Sequence, residues 1–167
     1  MVSVPAGNSW GKTGVESKSP VFIVDGSFAT RPGLVLVKLD PELTTSYVVA
    51  LMPTWNYDPW FSRNVWVGAS GATDKADGYV NLIDSQGAER YGTDGYLPIK
   101  PTHAPAWIGF KVYPGRVEVC VPGMDDPAPM KADWIGEGTP IFLSVFSSAP
   151  YESGPTAVAI DEILVGR

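Results

Sequence analysis

Aromatic side chains are the residues of this chain best suited to recognition chemistry. Four of them fall in the short segment PTWNYDPWFSRN, namely Trp55, Tyr57, Trp60 and Phe61. The proline and polar residues between them predict a loop, in which the flat rings stack on the face of a sugar or insert into a pocket of a partner protein. The alternative interpretation is that the rings close one end of the hydrophobic core. The segment is therefore a candidate platform for a glycan or a protein partner.

Two carboxylates in ATDKADGYVN are the main candidates for metal ligands. Asp74 and Asp77 precede Gly78 in a predicted turn, and oxygen ligands of this kind suit a hard cation such as calcium. The segment lacks the alternating ligands and the bidentate glutamate of an EF-hand loop, so solvated turn residues are the simpler interpretation. The acidic pair Asp125 and Asp126 likewise lacks further ligands at a recognised spacing. We expect no cofactor, with calcium at Asp74 and Asp77 as the alternative.

Catalytic constellations are hard to assemble from this composition. A Ser-His-Asp or Cys-His arrangement would have to use His103, the single histidine, and no G-x-S-x-G segment supplies a nucleophile. A glycosidase needs two carboxylates about 5 to 10 Å apart on one face of a cleft, and Glu118 and Glu162 are the best placed on predicted strands. We expect a non-catalytic protein, with a glycoside hydrolase or lyase as a lesser alternative.

Charge and composition narrow the classes of partner. The 167 residues carry 18 acidic and 12 basic side chains, a net charge of −6, and the basic residues form no stripe that would neutralise phosphates. The first ten residues lack the basic and apolar regions of a signal peptide, and no apolar run is long enough to span a membrane. We expect synthesis in the cytoplasm without a signal peptide, no nucleic-acid partner and no membrane insertion.

The elements that would position these residues are β-strands. In WIGFKVYPGRVEVCV, the side chains of Ile108, Phe110 and Val112 share one face, and those of Val117 and Val119 share it after the turn. Proline followed by glycine specifies the reversal, because Pro114 presets φ and Gly115 tolerates the positive φ of a type II turn. The segment predicts a hairpin with one buried face. Cys120, the single cysteine, is expected on the opposite face.

Similar apolar or alternating segments recur along the chain. They are residues 21–24, 34–39, 47–52, 65–68, 79–83, the two hairpin strands, 141–146 and 157–165. No amphipathic helix of ten to fifteen residues separates them, and glycine and proline punctuate the intervals, so the pattern predicts antiparallel pairing. We expect an all-β, single antiparallel β-sandwich of jelly-roll type with about nine strands. It would span residues 1–167 as one domain, with residues 1–20 as an N-terminal arm and two long loops at 85–105 and 122–140.

Two segments carry a family resemblance. The closing run GPTAVAIDEILVGR, with Ile160, Asp161, Ile163 and Val165, resembles the last strand of concanavalin A-like and laminin G-like jelly rolls and of several carbohydrate-binding modules. The hairpin at 107–121 is similar to the central hairpin of the same group. The resemblance implies the sandwich fold, which hosts lectins, glycosidases, adhesion modules and virion proteins alike.

These observations favour a protein that acts by surface contact. The first hypothesis is a structural subunit of a larger assembly, a homo-oligomer or capsid, and in particular a virion surface component such as a phage capsid decoration or tail protein. The alternative is a carbohydrate-binding module that recognises a glycan through Trp55, Tyr57, Trp60 and Phe61. The two are compatible, because a virion surface domain can also hold a glycan.

Overall fold

The computed structural model describes residues 2–4, 14–40, 42–54, 63–70, 77–83, 89–91, 107–120, 129–147 and 156–167. For residues 2–4, 69–70, 77–83 and 89–91 it describes the backbone alone. Within these ranges the only helix is one 3-10 turn, Gly26–Ala29. No helix among them has the length and apolar character needed to cross a membrane.

The described residues form fourteen strands. In chain order they are β1 Val2–Val4, β2 Gly14–Glu16, β3 Phe22–Ile23, β4 Gly33–Leu39, β5 Tyr47–Met52, β6 Asn64–Ser70, β7 Asp77–Ile83, β8 Glu89–Tyr91, β9 Trp107–Tyr113, β10 Arg116–Cys120, β11 Met130–Lys131, β12 Pro140–Phe146, β13 Thr156–Val158 and β14 Ile160–Gly166. Every pairing between them is antiparallel.

The predicted hairpin lies at the centre of a five-stranded sheet, ordered β11-β10-β9-β4-β14. Tyr113 pairs with Arg116 across the two-residue turn, and Gly115 has a φ of +77°, as a type II turn requires at that position. The predicted face of β9 and β10 is buried; it carries Ile108, Phe110, Val112, Val117 and Val119. The local turn chemistry and the period-two pattern therefore produce the hairpin as predicted.

The second sheet is the larger one, ordered β2-β12-β5-β6-β7-β8, with β3 also paired to β12. Strands β2 and β3 follow each other along the same edge of β12, since Gly14 pairs with Phe146 and Ile23 pairs with Pro140. A separate two-stranded sheet joins β1 to β13.

The hydrophobic core fills the space between the two large sheets. Inward side chains of β4, β9 and β10 meet those of β5, β6 and β12 in one buried cluster, which includes Val37, Phe110, Leu51, Val67 and Leu143. Burial of alternating side chains from both sheets defines a β-sandwich. The all-β jelly-roll architecture predicted from the sequence is confirmed.

Tyr47 places a polar group in this core. Its side chain is 2% exposed, and its hydroxyl has no hydrogen-bond partner. Burial raises the pKa of Tyr47 well above its ordinary value, because the phenolate would lose its hydration. The neutral phenol is therefore the form that this core accepts.

The strand number exceeds the nine predicted. Four short strands of two or three residues, β1, β2, β8 and β11, have no recognisable pattern of their own, and they lie in regions predicted as an arm or as long loops. The closing run 157–165 divides into β13 and β14 at Ala159. Such short strands depend on a neighbouring strand for their hydrogen bonds, so their sequences alone do not specify them.

Candidate functional site

The predicted aromatic platform lies outside the described residues. Trp55, Tyr57, Trp60 and Phe61 fall in the connection that leaves β5 after Met52 and enters β6 at Asn64. Strands β5 and β6 are neighbours near the middle of the seven-stranded sheet. The last residue of β5 and the first residue of β6 lie at the same end of that sheet.

A second hydrophobic cluster covers the outer face of the same two strands and of β12. We call it the outer-face cluster; its members are Val48, Ala50, Met52, Trp66, Phe142 and Phe146. The register brings Phe142 opposite Met52 and Trp66 opposite Ala50, so the side chains form rows across the sheet. Both faces of the sheet are apolar at this point.

Burial of the outer-face cluster is nearly complete. Trp66 and Phe142 are each 8% exposed, and Phe146 is 7% exposed. Trp66 lies on the outer face of the sheet, and it is nevertheless buried. This face is therefore covered, and Trp66 is not an open stacking surface.

Two small polar residues share this face. Ser144 lies opposite Ala50 and is 1% exposed, while Asn64 is two residues before Trp66 on β6, on the same face, and is fully buried. Buried polar groups fix orientation in sites that are otherwise apolar. The outer face thus combines aromatic and polar groups.

The backbone register extends the Trp66 row toward the far edge of the sheet. Asn81 of β7 pairs with Trp66, and Tyr91 of β8 pairs with Asn81. An aromatic position, an amide position and a second aromatic position therefore follow each other across three strands.

Sequence reasoning missed the outer-face cluster, although a signal was present. Every residue of β5 is buried, and its sequence YVVALM is apolar without alternation. A continuous apolar run is typical of strands covered on both faces, whereas a half-exposed antiparallel strand alternates. The run IFLSVF in β12 has the same character.

The two carboxylates considered for glycosidase chemistry lie far apart. Glu118 is on β10 and Glu162 is on β14, with β9 and β4 between these strands. Three interstrand steps place the backbones of the two residues about 14 Å apart, whereas glycosidases hold their two carboxyl groups about 5 to 10 Å apart. The sheet therefore does not place these carboxylates on neighbouring strands.

Cys120 lies on the outer face of the five-stranded sheet and is half-buried, as predicted. Burial is the main effect on its thiol, and it raises the pKa of Cys120 despite the nearby charge of Lys111. A nucleophilic cysteine needs the opposite shift, because the thiolate is the reactive form.

The calcium candidates lie at the margin of the described residues. Asp74 is outside them, and Asp77 opens strand β7, where it pairs with Ser70, rather than lying in the predicted turn. In the part of the chain that the structure describes, no group of three or more His, Cys, Asp or Glu side chains could hold a metal ion. Calcium binding stays a prediction.

Comparison with solved structures supports the β-sandwich fold. A solved complex of toad ovary galectin with thio-digalactose is similar, with a TM-score of 0.50 and 14% sequence identity, over 92% of this chain and 98% of the galectin chain. No protein-family model matches this chain, and no curated protein matches it either. The similarity therefore concerns the fold.

Proposed function

We propose that this protein is a non-catalytic, lectin-like binding protein that recognises a saccharide at the end of the seven-stranded sheet where residues 53–63 join β5 to β6. The proposal rests on the aromatic residues of this connection and on the outer-face cluster, whose Met52 ends the strand from which the connection leaves. Sugar rings present apolar faces that stack on aromatic rings, and their hydroxyl groups require polar partners.

The similar fold of a galectin that binds thio-digalactose supports this class of ligand. The separation of Glu118 and Glu162 and the raised pKa of Cys120 support binding without turnover. Because Trp66 is buried, we assign it to supporting the site, and we assign direct stacking to Trp55 and Trp60.

Binding is tested on a glycan array followed by calorimetry with the best saccharide. Trp55→Ala and Trp60→Ala should each weaken affinity by at least about tenfold, since an aromatic anchor contributes more than ~1.4 kcal/mol. Trp107→Ala, on β9 of the other sheet, is the matched control and should leave affinity unchanged. Thermal unfolding midpoints close to that of the unaltered protein in all three variants would show that the fold is retained. Unchanged affinity in both platform variants would contradict the proposed site, and no binding on the array would contradict the function.

A structural subunit of a larger assembly, such as a virion capsid decoration or tail component, is the second candidate. Large apolar side chains exposed on one side of the sandwich support contact with another protein chain. Light scattering and negative-stain electron microscopy of the purified protein would test it. Regular particles would support the assembly role, and a small species that does not associate further would contradict it.

A further inference from the structure

Exposed large apolar residues are concentrated on three strands. Six such residues occur in the described part of the chain, and five of them lie on β2, β3 or β14. We call these five the apolar side: Val15 at 48% exposure, Ile23 at 56%, Ile163 at 42%, Leu164 at 38% and Val165 at 41%. Contiguous exposed apolar residues are typical of interaction surfaces.

The strands of the apolar side border the same side of the sandwich. At the end of β14, the Arg167 guanidinium donates to the Asp25 carboxylate at 2.7 Å and lies 4.7 Å from the centre of the Phe28 ring. The Phe28 ring stacks on Phe22 of β3 at 5.2 Å. The end of β14 therefore meets the turn that follows β3, and β3 shares one edge of β12 with β2.

Strand β14 presents an open edge. It is the terminal strand of the five-stranded sheet, and its pairing among the described strands is with β4. The first half of β14 carries the features that protect an edge, namely the acidic residues Asp161 and Glu162 and an irregularity between Ile160 and Glu162. Residues 163–166 carry no charge, no proline and no irregularity, so this half can accept another strand.

We propose that β14 pairs in antiparallel fashion with β14 of a second copy of this chain, about a two-fold axis at Leu164. A two-fold axis perpendicular to a sheet pairs one residue with its own counterpart. Centring on Leu164 brings Ile163 opposite Val165 of the second copy. It also brings the acidic half of each strand alongside the Arg167 end of the other.

The neighbouring registers are unfavourable. Centring on Ile163 would place Leu164 opposite Glu162, and centring on Glu162 would place two carboxylates opposite each other, which is destabilising. The register at Leu164 alone matches apolar with apolar and acidic with basic. The apolar residues of β2 and β3 on the same side would extend the contact.

The oligomeric state of the full chain tests the proposal. Sedimentation equilibrium should give a species of twice 17.9 kDa for the natural sequence, and Leu164→Arg should give the monomer. Leu43→Arg is the matched control, because Leu43 is an exposed leucine outside the apolar side, and it should leave the dimer intact. A monomeric natural chain, or a dimer that Leu164→Arg leaves unchanged, overturns the proposal.

Cross-linking tests the register. In a Cys120→Ser background, Leu164→Cys should form a covalent dimer on mild oxidation, because directly opposite Cβ atoms lie about 4.5 to 5.5 Å apart. Glu162→Cys should not, since the two thiols would be offset by four residues, or about 14 Å. Equal cross-linking of both variants, or of neither, overturns the register. The proposal is independent of saccharide binding: Leu164→Arg should retain the affinity of each site, so either proposal can fail alone.

Discussion

Gly109 allows the central strands of the five-stranded sheet to approach closely, and its replacement by alanine should be strongly destabilising. A Cβ atom at this position would collide with the Val35 carbonyl oxygen and lie 2.9 Å from the Val35 carbonyl carbon and 3.0 Å from the Leu36 Cα. All three are backbone atoms of β4, so no side chain can rotate away. Relief requires β4 and β9 to separate in the middle of the sheet.

The expected cost follows from this obstruction. Overpacking a well-ordered interior costs about 1 to 3 kcal/mol, and a backbone obstacle places Gly109→Ala at the upper end, near ~3 kcal/mol. For a chain of this size, each kcal/mol lowers the midpoint of thermal unfolding by about 2 to 4 °C. The expected decrease is therefore about 6 to 12 °C.

Two other glycines supply controls that separate packing from backbone conformation. Gly136→Ala meets nothing within 4 Å and should leave the free energy of unfolding unchanged or slightly raised. Gly115→Ala also meets nothing, but its φ of +77° is left-handed, so it should cost about 1 kcal/mol. Urea unfolding of the three variants measures their free energies of unfolding and therefore ranks their stabilities. If Gly109→Ala were no less stable than Gly136→Ala, the close approach of β4 and β9 would be wrong.

Two further predictions concern ionisable groups. Tyr47→Phe should not reduce stability, because it removes a buried hydroxyl without a partner, and a loss greater than ~1 kcal/mol in urea unfolding would contradict this. Because the pKa of Tyr47 is raised in the folded chain, the unfolded chain loses this proton at a lower pH. The free energy of unfolding therefore decreases as pH rises above about 10, and Tyr47→Phe should make this decrease smaller. The pKa of Asp25 is lowered mainly by hydrogen bonds from the Ser27 hydroxyl and backbone, and less by Arg167. Its contribution to stability is present above the ordinary pKa of 3.8 and lost as pH falls below it. NMR titration should show that Ser27→Ala raises the pKa of Asp25; an unchanged pKa would refute the assignment.

Local sequence chemistry was sufficient for the hairpin and for the class of fold. Pro114 and Gly115 specify a reversal within two residues, and the alternation on either side specifies which face is buried, so both follow from neighbours in the chain. Alternation also agrees with β4, along which buried and half-buried residues take turns. The candidate platform followed from composition alone, and its residues fall between β5 and β6 in the chain.

Tertiary structure alone decided which surfaces are covered and which are open. Trp66 lies on the outer face and is buried, whereas Ile163 and Leu164 lie on a strand with the same apolar character and are exposed. Strand β14 is the terminal strand of its sheet, whereas β6 lies between β5 and β7 and shares a covered outer face with β5 and β12. Period-two patterning reports the face on which a side chain lies, but long-range strand order determines what covers that face.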